Sequence, residues 1–173
     1  MKRFLLPFII LVIFMLESIF VNFVAMQPAF RDWLLSPRFV LIALVFMTIY
    51  INRKQAMIFG IVFGFLYDIA FTDVLGIYAL GLPAVCYIVS QLIKIWQNNL
   101  LVVLFICLIA VAIIEFYVYG INTIIGVSDM VLGRFLAERF YATLILNAIF
   151  AVIFALPLQK CFQYFSLFYA KER

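Results

Sequence analysis

The run FGIVFGFLYDIAFTDVLGIYALGLPA, residues 59–84, holds four of the chain's seven glycines (Gly60, Gly64, Gly76, Gly81) and two of its eight acids (Asp68, Asp73). Gly60, Gly64 and Asp68 are spaced by four, so on a helix they share one face. Two small residues one turn apart let a second helix come close. An aspartate on that face, inside an apolar segment, is costly unless it meets a partner. Two fates are open for the glycines: packing within the chain's own bundle, or packing against another protein's helix. Asp68 has three: pairing with an arginine, capping a backbone turn, or contacting a partner or ligand.

Composition settles the class around this stretch. Of 173 residues, 69% are apolar and 12% charged, and mean hydropathy is +1.27. Soluble domains carry about twice that share of charge. The chain reads as an integral membrane protein, a single polytopic domain over residues 1–173. One helical span takes about 20 residues, so six of them leave only short loops.

Six spans are expected, at residues 4–26, 37–52, 56–71, 77–95, 100–119 and 139–158. Lys2-Arg3 ahead of the first run resembles a signal peptide, but the run is long and no small-x-small site follows, so it is expected to stay as a transmembrane helix. Ser36-Pro37 reads as a cap followed by proline at the first helical position of span two. Pro83 is expected to kink span four. Arg134 and Glu138, four apart, suggest an interfacial helix with one salt bridge, and the tail from residue 159 is expected to continue the last helix.

An even number of spans puts both termini on one side. That side would hold Lys2, Arg3, Arg53, Lys54, Lys94, Lys160, Lys171 and Arg173, and the other Arg31, Arg38, Arg134 and Arg139. The excess of positive charge marks the cytoplasmic side. Glu17, Asp68 and Glu115 then fall in the outer halves of spans one, three and five, with Asp73 just beyond. The arginines on that side, Arg134 and Arg139 among them, are the available partners, so an outer-leaflet polar network is expected.

No catalytic constellation stands out. There is no histidine, which removes the commonest metal ligand and the neutral-pH proton shuttle. No nucleophile motif, phosphate loop or cysteine pair is present, so neither enzyme activity nor a metal or other cofactor is indicated. Cys86, Cys107 and Cys161 read as apolar fillers, with lipidation of Cys161 the alternative. The scattered basic residues do not form a nucleic-acid footprint; the surrounding partner is the lipid bilayer.

A short basic N-terminus, six spans and minimal loops resemble the MreD family of rod shape-determining proteins. The run Gly60-x3-Gly64-x3-Asp68, then Gly76 and Leu80, is similar to a glycine–glycine–aspartate pattern in the centre of that family. The resemblance implies a non-catalytic scaffold of the bacterial cell-wall elongation machinery in the inner membrane. It implies association with the single-span protein MreC, and directly or indirectly with MreB filaments and the RodA/transpeptidase synthase. It implies an all-α bundle similar to the substrate-binding subunits of energy-coupling-factor vitamin transporters. A subunit of such a transporter is the alternative reading. Gly60 and Gly64 would admit the partner's helix while Asp68 sets its register.

Overall fold

The structure, a computed structural model, describes residues 5–26, 33–96 and 99–170. Lys2, Arg3, Arg31, Lys171 and Arg173, used above to orient the chain, lie outside the described residues. The described residues are helical, without strands: α1 (Leu5–Ala25), α2 (Phe39–Tyr50), α3 (Arg53–Phe71), α4 (Ile77–Ile95), α5 (Leu100–Ile124), α6 (Leu132–Phe135), a π turn (Leu136–Phe140) and α7 (Tyr141–Ala170). Five stretches are long and apolar enough to cross a membrane: Leu5–Phe23, Arg53–Phe71, Ile77–Ile95, Leu100–Ile124 and Leu132–Leu167.

The exception is α2. Its 12 residues rise about 18 Å, at about 1.5 Å per residue, against a hydrocarbon core of about 30 Å. It does not start at Ser36-Pro37. Residues 33–38 are non-helical and Arg38 is the N-cap. Instead of capping, Ser36 uses its own backbone N–H to donate to Thr143 Oγ1 at 3.2 Å. What shortens α2 at its N-terminal end is therefore a stretch of chain tied to α7.

α2 occupies the centre. Every residue from Phe39 through Thr48 is buried, and the helix touches α1, α3, α4, α5 and α7. A helix apolar on all sides suits such a position. The other helices keep apolar outer faces, such as Ile69, Leu101 and Val152, consistent with surrounding lipid.

The α3–α4 pair is the tightest contact and explains the glycines. A β-carbon on Gly64 would stand 2.5 Å from the Tyr78 carbonyl oxygen and 2.6 Å from Ala79 Cα. One on Gly60 would stand 3.1 Å from Pro83 N. The two helices thus meet backbone to backbone, α4 lying antiparallel along the glycine face. Gly76, in the turn between them, has φ +106°, which an L side chain rarely adopts. α4 continues as helix through Pro83.

At the C-terminal end the expected boundaries move. α5 runs on to Ile124. The Arg134–Glu138 helix is joined to the last span through the π turn, and the tail stays helical to Ala170.

These contacts order the glycine substitutions. Gly64→Ala should cost about 1–3 kcal/mol, the usual penalty of overpacking, because only backbone can yield. Gly60→Ala should cost less. Gly76→Ala should cost about 1–2 kcal/mol through left-handed backbone alone, with no clash. Residual monomer after heating in detergent, followed by size exclusion, reads the ranking.

Candidate functional site

Two helices begin inside the bundle, and each borrows an acid from its neighbour. The first N–H groups of a helix have no intrahelical acceptor, and in apolar surroundings they find no water. At α4, Asp68 supplies the acceptors. Its Oδ2 takes the N–H of Gly76 at 2.8 Å and of Ala79 at 3.1 Å, and its Oδ1 that of Tyr78 at 2.8 Å. Asp68 is fully buried. Its partners are backbone N–H groups, and no arginine among the described residues pairs with it.

At α2, Glu17 from α1 takes the N–H of Val40 at 3.0 Å, and also hydrogen-bonds Phe39 N–H and the Tyr67 hydroxyl. Asn147 of α7 completes the end. Its Oδ1 accepts from Arg38 N at 2.8 Å, while its Nδ2 donates to Ser36 O at 3.1 Å and Thr143 O at 2.8 Å. Leu34 N donates to Glu138 O at 3.0 Å. Much of the non-helical stretch before α2 is thereby bonded to other parts of the protein.

Between these ends lies an ion cluster. Glu115 of α5 is fully buried. Its Oε1 accepts from Arg38 Nε at 2.7 Å and Nη2 at 2.7 Å, and its Oε2 from Arg139 Nε at 2.9 Å. Arg38 Nη2 also donates to the Tyr78 hydroxyl at 2.7 Å, and its Cζ lies 4.9 Å from the Tyr78 ring centre. Tyr78 therefore joins the two caps. Its backbone belongs to the Asp68 cap and its ring supports Arg38, while Tyr67, which bonds Glu17, lies 5.3 Å away, centre to centre.

A polar cleft of about 220 Å³ opens on this cluster. Glu17, Ser36, Arg38, Tyr67, Tyr78 and Arg139 supply its polar lining, and Val21, Leu35, Pro37 and Phe71 its apolar part.

The structure brings Glu17, Arg38, Glu115 and Arg139 together, with Asp68 linked through Tyr78. Asp73 is exposed in the α3–α4 turn. Arg134 points away and pairs with Glu138 at 2.8 Å, both partly open to the surroundings. Gly60 and Gly64 are occupied by α4, which leaves that face no room for a further helix. Tyr67, Tyr78, Thr143 and Asn147 escape a reading based on charge. The signal for Asn147 is its lone amide in the middle of an apolar span, the kind of residue that must find a partner. Nothing in sequence spacing links it to Arg38.

Antiparallel apolar helices with an ion cluster and tertiary caps sealed inside define a multi-pass helical membrane protein. The chain matches the family of rod shape-determining protein MreD over residues 2–165. It is 43% identical over 162 residues to the rod shape-determining protein MreD of Bacillus subtilis (strain 168), covering 94% of each chain. The chain therefore belongs to the MreD family. No solved structure matches it.

The buried and exposed ion pairs should differ sharply on mutation. Glu115→Gln leaves two arginines without their shared anion and should destabilise by about 3–5 kcal/mol, the cost of breaking a buried pair. Arg134→Gln should cost under about 1 kcal/mol, as exposed pairs do. Thermal unfolding in detergent compares the two.

Proposed function

We propose that this chain is a non-catalytic scaffold of the bacterial cell-wall elongation machinery, controlling rod shape in the cytoplasmic membrane. The observation that carries the reading is the match to a rod shape-determining protein along 94% of both chains. The buried polar groups favour a structural role, because the carboxylates of Glu17, Asp68 and Glu115 are all engaged by donors of the protein itself.

The orientation has both termini in the cytoplasm. Arg53, Lys54, Lys94 and Lys160 belong to the cytoplasmic end with the terminal lysines and arginines. Arg38 and Arg139 are bound to Glu115 inside the bundle, so they cease to count as loop charge. The asymmetry that orients the chain is then larger than a plain count of residues gives.

The partner is the single-span protein MreC, with MreB filaments and the RodA/transpeptidase synthase in the same assembly. With the glycine face filled by α4, the contact falls on the adjoining outer ends of α3 and α4. There Ile69, Leu75 and Leu80 are exposed around a turn anchored by Asp68. The energy-coupling-factor reading draws its support from the polar cleft, and it differs in requiring an ATPase module to co-purify.

Depletion of the protein should turn rod-shaped cells round, and the full chain should restore them. Co-purification with MreC should fall with Leu75→Asp or Leu80→Asp at normal expression. Undiminished recovery of MreC in both variants would remove the docking surface and leave the shape phenotype to decide the role.

A further inference from the structure

The cleft beside Glu115 has more donors than the protein uses. Two arginines share one carboxylate, so the Arg38–Glu115–Arg139 cluster carries one excess positive charge. Arg139 spends only Nε on Glu115; both its terminal nitrogens have no partner among the described residues, and its side chain is 26% exposed. The Tyr78 hydroxyl accepts from Arg38 and keeps its own hydrogen. Ser36 also lines the cleft, and its hydroxyl makes no bond among the described residues. The one acid in the lining, Glu17, interacts with Arg38 and offsets that charge, but its oxygens are engaged by Val40 N–H, Phe39 N–H and the Tyr67 hydroxyl, so the free groups in the cleft are donors. Its charge faces the start of α2, where a helix end favours an anion.

The π turn sets Arg139 in this position. Arg134 and Glu138 pair on the outer face, yet Arg139, next in sequence, reaches Glu115 inside. A single wide turn re-aims one side chain in this way, and such turns occur frequently at functional sites.

We propose that this cleft binds an oxyanion, a phosphate or phosphodiester, held by Arg139, the Tyr78 hydroxyl and the Ser36 hydroxyl. Arg38 is a positioning residue, fixed between Glu115 and the Tyr78 ring. A guanidinium with two free nitrogens matches two oxygens of a phosphate side by side. The cleft, at about 220 Å³, has room for several waters at about 30 Å³ each, and so for a headgroup-sized anion. Its apolar lining of Val21, Leu35 and Phe71 adjoins the exposed outer faces of α1 and α3. A phospholipid headgroup could enter from the leaflet, and a free anion from water.

Native mass spectrometry of the purified full chain tests the lipid source, comparing phosphatidylglycerol with a glucosyl diacylglycerol that has no phosphate. Thermal stabilisation by inorganic phosphate tests the soluble source. Preferential retention of phosphatidylglycerol, weakened about tenfold or more by Arg139→Gln, the scale of one charge-assisted hydrogen bond, supports the site with a lipid occupant. Stabilisation by phosphate, lost in Arg139→Gln without a lipid preference, supports it with a free anion. Arg134→Gln, on the outer face, should bind as wild type. If Arg139→Gln does not fold, Tyr78→Phe carries the test, since it keeps the ring beneath Arg38 and removes only the hydroxyl. Equal retention of both lipids with no effect of phosphate overturns the proposal. So does wild-type binding in the folded variants.

Discussion

A helix that starts inside an apolar bundle must find acceptors for its first N–H groups, and this constraint organises the structure. Water would supply them in a soluble protein. Here α1 contributes Glu17 to α2, and α3 contributes Asp68 to α4. Each of these two helices thus completes the one that follows it. Glu17 and Asp68 both lie inside their own helices rather than beyond the ends, so each reaches sideways into the bundle. A connecting segment then returns the chain to the same carboxylate. For Asp68 that segment includes Gly76, whose left-handed backbone lets the turn present three N–H groups to one side chain.

The same constraint explains why α2 can be so short. A 12-residue helix cannot cross a bilayer on its own, and the non-helical chain before it would be intolerable against lipid. Wrapped by five other helices, α2 is held by protein on every side. Asn147 and Thr143 act as substitutes for the missing helical turn by engaging Ser36 and Arg38. The price is the burial of several polar groups at once, and the Glu115 cluster is part of that arrangement. Arg38 follows directly from the capped end of α2, so its charge is fixed wherever that end is fixed. Glu115 neutralises it at the depth where it falls.

The helical membrane class was legible in composition because apolar content is a property of the whole chain. The α3–α4 hairpin was partly legible: helical periodicity places Gly60, Gly64 and Asp68 on one face, but spacing alone left open whether that face takes α4 or a partner's helix, and whether Asp68 meets an arginine or a backbone turn. The limits of α2 were not legible. Ser36-Pro37 has the chemistry of a helix start, but the acceptors that decide the boundary come from residues more than a hundred positions away in α7. The ion cluster was half legible: the acids could be set at similar depth, but which arginine meets which acid depends on rotation about helix axes. The π turn shows this most plainly. By ordinary helical spacing Arg139 lies 100° from Glu138 and five residues from Arg134, and only the local change of pitch turns it toward Glu115.

That rotation also separates two roles that charge counting merges. Arg134 and Arg139 are both arginines at the start of the last span, and a topology rule scores them alike. Arg134 is exposed, paired within its own helix and replaceable in energetic terms. Arg139 is tied to a buried acid, yet its terminal nitrogens have no partner among the described residues, and the residue lines the polar cleft. A residue used only to neutralise Glu115 would spend more of its donors on it, because an N–H left unpaired in apolar surroundings costs free energy. Arg38 follows that logic and is buried. Arg139 departs from it, and the departure locates the part of the bundle where stability alone does not account for the arrangement of side chains.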